Sequence, residues 1–166
     1  MKKILQYLLL GIFLLIGLSY LYLKYFTIED GEQAPDFETT LVDGTPFRLS
    51  DLHGQYVLLD FWGSWCAPCL RESPQLVSIY DSYANNLVIV TIALEKNDKT
   101  WRKAADKFGF VWKHQIVEEN QFVLMSSIAR KYGVTEIPAK FLISPNGELM
   151  GRYSLKKIDS LFSSKK

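Results

Sequence analysis

The chain has 166 residues, enough for one domain with a short appendage. Its 19 Lys+Arg nearly balance 18 Asp+Glu, which argues against a nucleic-acid binder, and 48% hydrophobic residues argue against disorder. The two cysteines, Cys66 and Cys69, exclude a multi-disulfide scaffold and a zinc site of three or four cysteines.

The apolar excess is concentrated at the N-terminus. Lys2 and Lys3 precede a run from Ile4 to Phe26 broken mainly by Gln6, Ser19 and Lys24. Ile4 to Leu23 would span about 30 Å as a helix, the thickness of a bilayer core. Tyr20, Tyr22 and Tyr25 would form an aromatic belt. The run is too long for a signal-peptide core and lacks an Ala-x-Ala site, so an uncleaved anchor over residues 1–26 is expected. The flanking charges put the N-terminus inside and the rest of the chain outside, in a periplasmic or other extracytoplasmic location. Residues 27–35 (TIEDGEQAP) read as a tether, and 36–166 as the folded domain.

Within that domain, Asp36 to Leu52 alternates around Asp43-Gly44, a hairpin signal. Tyr56–Trp62 (YVLLDFW) and Leu87–Leu94 (LVIVTIAL) read as buried strands. Pro68–Tyr83 and Lys99–Phe108 have helical spacing, the second closed by Gly109. Ser126–Tyr132 is a short helix ended by Gly133. Ala139–Ser144 and Glu148–Tyr153 are strands around Pro145-Asn146-Gly147, and Lys156–Phe162 forms a last helix. This order indicates an α/β domain with a mixed sheet.

The chemistry centres on Trp62-Gly63-Ser64-Trp65-Cys66-Ala67-Pro68-Cys69, which follows a buried strand and opens a helix. A thiol at a helix N-terminus meets outward-pointing N–H groups and the positive end of the dipole, so its thiolate is favoured. Cys66 is therefore the attacking thiol. Cys69, about one turn inward and less exposed, resolves the mixed disulfide. Pro68 sits in the first turn, where a missing N–H costs little. Pro74 is expected to kink the helix. No resident metal or cofactor is expected, since His53 and His114 carry no ligand spacing toward the pair.

Asp60-Phe61-Trp62 with Trp65-Cys66-Ala67-Pro68-Cys69 resembles thioredoxin. More specifically, the chain is similar to the membrane-anchored TlpA/ResA-like thiol–disulfide oxidoreductases over about residues 34–155. The likeness includes Ala34-Pro35-Asp36-Phe37, Leu49-Ser50-Asp51-Leu52, Gly133-Val134, Ile137-Pro138, Phe141-Leu142-Ile143 and Asn146-Gly147. The resemblance implies a thioredoxin-like fold with an N-terminal hairpin. It implies a cis Ile137-Pro138 bond facing the cysteines, with Ile137 offering its backbone to a substrate peptide.

Asp60 interrupts an apolar strand. It reads as a buried acid exchanging a proton with Cys69, or as an edge residue facing solvent. Thioredoxin has Asp there and many ResA-like proteins have Asn. Glu72, three residues after Cys69, is a candidate for substrate choice or proton handling, and Glu136, beside Ile137-Pro138, is a weaker one. Trp62 and Trp65 are candidates to shield the thiols and bind substrate.

The uncharged Ala67-Pro68 dipeptide points to a reductant of protein disulfides. The resemblance suggests apocytochrome c as substrate class and a membrane thiol transporter of the CcdA/DsbD kind as electron donor. Two alternatives use the same fold. A copper chaperone would need a histidine, and His114, after the strand-like Phe110-Val111-Trp112, is the candidate. A thiol peroxidase would want a T-x-x-C context, which this chain lacks.

Overall fold

The computed structural model describes residues 2–26, 30–96, 100–119 and 123–164; in the first of these, the side chains described are those of 3, 4 and 6–20. Its elements are α1 (Lys2–Phe26), β1 (Glu38–Thr40), β2 (Pro46–Arg48), β3 (Tyr56–Trp62), α2 (Ala67–Tyr83), β4 (Leu87–Glu95), α3 (Trp101–Phe108), β5 (His114–Glu119), α4 (Ser127–Lys131), β6 (Ala139–Ile143), β7 (Leu149–Arg152) and α5 (Leu155–Ser163).

The five-stranded sheet has the order β5-β4-β3-β6-β7. β3 pairs parallel with β4, and β4 with β5, while β6 and β7 run antiparallel. β3 is central, and six of its seven residues are buried. This is why it reads as a continuous apolar run rather than an alternating one.

Side chains alternate between the two sheet faces. Leu58, Trp62, Leu87, Ile89 and Ala93 pack with α2, α3 and α5. Val57, Leu59, Phe61, Val90 and Ile92 pack with the hairpin and α4. The hairpin turns at Gly44, whose φ of 86° suits a residue without Cβ, and Asp43 accepts the Thr45 N–H at 2.9 Å.

The structure departs from expectation in three places. The first is the anchor. Among the described residues no helix is long and apolar enough to cross a membrane. This overturns the N-terminal transmembrane helix, and with it the single-pass placement in the inner membrane that put the domain outside. Tyr22, Lys24, Tyr25 and residues 27–29 lie outside the described side chains.

The second is the stretch read as a tether. The Gly31 and Ala34 N–H groups donate to Leu149 and Gly147, and Glu32 accepts from Leu149. Residues 31–34 thus lie along the start of β7. The third is β5, a strand absent from the expected element order, in which only Phe110-Val111-Trp112 reads as strand-like. Phe110 and Trp112 are buried but lie outside any strand, while the strand begins at His114. β5 is an edge strand with only Ile116 fully buried, so it lacks an apolar run. Lys99 of the third expected helix lies outside the described residues, and α3 begins at Trp101.

Candidate active site

β3 delivers the chain to the carboxyl end of the parallel strands, where a short loop leads into α2. Cys66 is the N-cap of α2. Its N–H donates to the Gly63 carbonyl at 3.0 Å, and its sulfur accepts the Cys69 N–H at 3.2 Å. The cysteine pair is therefore built into the start of the helix, where the dipole favours a thiolate.

Cys66 and Cys69 form a disulfide with Cα atoms 5.3 Å apart. In this oxidised form the two residues are equally covered, at 5% and 4% exposure, so Cys66 is not the more exposed of the two.

The Ile137-Pro138 peptide is cis. The Ile137 carbonyl oxygen lies 3.7 Å from the Cys66 sulfur, bringing together residues 71 positions apart. Trp65 is 48% exposed. Its indole N–H donates to the Leu94 carbonyl at 2.8 Å, and the Lys96 ammonium lies 5.7 Å from its ring. Trp62 is buried against Phe110, so it supports the pair from within the core and offers no surface to a partner. Pro68 and Glu136 are exposed, and α2 runs unbroken through Pro74.

Behind Cys69 lies a charged cluster. Asp60 shares the α2 face with Leu58 and Trp62 and is buried, so the edge reading of this residue does not hold. The β3–β6 register sets Lys140 directly across from it, and facing residues of an antiparallel pair share a sheet face. The Lys140 ammonium lies 3.2 Å from Asp60 Oδ1 and donates to Glu72 Oε2 at 2.6 Å. Asp60, Trp62, Cys69, Glu72, Ser73 and Lys140 line one small crevice.

Burial pushes the Asp60 carboxyl above its ordinary pKa, against the pull of Lys140. Burial works to lower the Lys140 pKa, yet its pairing with Asp60 and Glu72 carries it above the usual lysine value. The lysine thus stays charged. Among the described residues, Asp60 Oδ1 and Trp62 Nε1 have no hydrogen-bond partner of good geometry.

Lys140 was missed by sequence reasoning, although a charge inside Ala-Lys-Phe-Leu-Ile was a signal of the same kind as Asp60. Glu95 was missed because the apolar run was ended at Leu94. It accepts the Ser64 N–H at 2.6 Å and the Ser64 hydroxyl at 2.8 Å. His114, the candidate copper ligand, packs on Phe47 of the hairpin with ring centroids 5.5 Å apart. It is paired with Val90, three residues short of the Ala93 level where β3 ends at Trp62.

Comparison with known proteins agrees with this geometry. Residues 31–152 match the model of the AhpC/TSA family. The chain is 34% identical over 142 residues to the thiol-disulfide oxidoreductase ResA of Geobacillus thermodenitrificans, covering 82% of this chain and 78% of that protein. It is 31% identical over 127 residues to the thioredoxin-like protein YneN of Bacillus subtilis, covering 75% and 71%. A crystal structure described as a thiol:disulfide interchange protein DsbE from Chlorobium tepidum superposes with a TM-score of 0.72 at 25% identity, covering 83% of this chain and 98% of that one.

Proposed function

Because this chain belongs to the AhpC/TSA family and is a thiol–disulfide oxidoreductase of the thioredoxin fold with Cys66 and Cys69 as its pair, we propose that it works as a reductant of protein disulfides. The observation that supports this direction is the surroundings of the Cys66 sulfur. Among the described residues it faces one donor, the Cys69 N–H at 3.2 Å, and one acceptor, the Ile137 carbonyl at 3.7 Å. Ala67 and Pro68 add no side-chain donor. A strong oxidant owes its potential to extra stabilisation of the reduced thiolate, and a carbonyl oxygen beside that sulfur opposes it.

In the reduced protein, the Cys66 thiolate attacks one sulfur of a substrate disulfide. A mixed disulfide forms, and the other substrate sulfur leaves as a thiolate that takes a proton from water. Cys69 then loses its proton and attacks the Cys66 sulfur. The second substrate thiolate is released, and two electrons have passed from the Cys66/Cys69 dithiol to the substrate. Asp60 is the base placed to take the Cys69 proton, because both line the same crevice. Glu72, half-exposed, connects that crevice to solvent.

Trp65, Pro68 and the Ile137-Pro138 backbone form the surface that meets the substrate peptide, with Glu136 at its margin. An apocytochrome c with its C-x-x-C-H haem site is the substrate class this reading favours. A membrane thiol transporter of the CcdA/DsbD kind is the matching electron donor.

Equilibration with a dithiol buffer tests the direction. The expected potential lies nearer to about −270 mV than to about −120 mV, and a value near the latter overturns it. A Cys69→Ala variant should trap substrates on Cys66, and failure to trap any partner counts against the mechanism.

A further inference from the structure

The loop that presents Cys66 is held by a carboxylate with no part in the electron transfer above. Glu95 ends β4 on the face shared with α2 and is 1% exposed. One of its oxygens accepts the Ser64 N–H at 2.6 Å, and the other accepts the Ser64 hydroxyl at 2.8 Å. The Thr100 hydroxyl, just before α3, donates to the same second oxygen at 3.2 Å and lies 2.8 Å from the Ser64 hydroxyl. One residue back along β4, the Leu94 carbonyl accepts the Trp65 indole N–H.

Three donors from Ser64 and Trp65, the two residues before Cys66, therefore land on the last two residues of β4. The fit leaves no slack: a Cβ on Gly63 would come within 2.9 Å of Trp65 Nε1 and 3.0 Å of the Leu94 oxygen. Hydrogen bonds to a carboxylate are shorter and about twice as strong as neutral ones. Attack on a disulfide demands alignment of three sulfurs, and a misplacement of about 1 Å can cost on the order of 100-fold in rate.

We propose that Glu95 is a positioning residue for thiol–disulfide exchange: by gripping Ser64 at both its amide and its hydroxyl, it fixes the direction from which Cys66 meets a disulfide and ties that direction to α3 through Thr100. This rests on the exchange chemistry of the family and not on whether the protein reduces or oxidises its partner.

The test uses full-length Glu95→Ala, Glu95→Gln and Ser64→Ala, reduced and mixed in stopped flow with a small aromatic disulfide and with insulin. Glu95→Ala should slow Cys66 attack about 10-fold or more on both. Glu95→Gln can still accept the amide and donate to the Ser64 hydroxyl, so it should stay within about 3-fold of the parent, and Ser64→Ala should lose about 2- to 3-fold. Trp65 fluorescence should shift to the red in Glu95→Ala and not in Glu95→Gln.

Parental rates in Glu95→Ala, or an equal loss in Glu95→Gln, would overturn the proposal. Should Glu95→Ala fail to fold, Ser64→Ala decides: slower attack at unchanged melting temperature supports the clamp, and an unchanged rate overturns it. If the parent protein reduces neither substrate, the reductase reading fails on its own. The clamp is then read from the rate at which dithiothreitol opens the Cys66–Cys69 disulfide, with the same order of variants expected.

Discussion

Two buried carboxylates stand on neighbouring strands of one sheet face, and they are satisfied in opposite ways. Glu95, at the end of β4, is met by one backbone N–H and two hydroxyls. Asp60, in the middle of β3, has the Lys140 ammonium at 3.2 Å and no well-oriented donor on Oδ1. The difference follows from position. In mid-strand the backbone N–H groups are spent on the ladders to β4 and β6, so a carboxylate there depends on a side chain from the facing strand. At the strand end the incoming loop has free amides and hydroxyls to offer. Hydrogen bonds hold the front of the redox pair, at Cys66, and an ion pair holds the back, at Cys69.

The strongest way to break this contrast is to remove the lysine. Lys140→Met strands Asp60 without a counter-charge and should cost about 3–5 kcal/mol of stability, measured by denaturant unfolding. Adding Asp60→Asn to that variant should recover most of the loss, because the two residues act as one pair. A double-mutant cycle that came out additive would show that they do not.

Asp60→Asn alone sharpens the comparison through pH. The Asp60 pKa is raised in the folded protein, so the parent is favoured by its neutral form below the unfolded value near 3.8. That advantage is lost as pH rises through the folded pKa. Asp60→Asn should therefore gain stability relative to the parent as pH rises through the folded Asp60 pKa. The gain should vanish in acid when melting curves are compared from about pH 3 to pH 8. If Asp60 takes the Cys69 proton as proposed, the same variant should slow release of the mixed disulfide while leaving Cys66 attack unchanged.

The smallest effect belongs to Glu72, whose side chain is 44% exposed. Glu72→Gln should change stability by less than about 1 kcal/mol, with Lys140 retaining Asp60. A larger loss would mean that Glu72, and not Asp60, is the main partner of the lysine.

Much of this organisation was legible in the amino-acid order. Tyr56–Trp62 is a buried strand because a central strand covered on both faces has no polar face. Gly44 and Gly109 mark their turns because each adopts a positive φ. Cys66 and Cys69 announce a redox pair because a strand end and a helix start surround them. Asp60 was legible as an anomaly, since a charge in such a strand needs a reason. The N-terminal run misled: its apolar character was read as a span, and no described helix is long and apolar enough to be one.

What the order of residues determined on its own was local: the helices, the buried strands, the turns and the chemistry of the cysteine motif, all set by periodicity and neighbours within a few positions. What only the tertiary structure decided was who meets whom. Lys140 meets Glu72 across 68 residues and Asp60 through the β3–β6 register, and Glu95 meets Ser64 across 31. These pairings follow from strand order and from which face each side chain takes, and a one-residue slip in register would send Lys140 to the opposite side of the sheet.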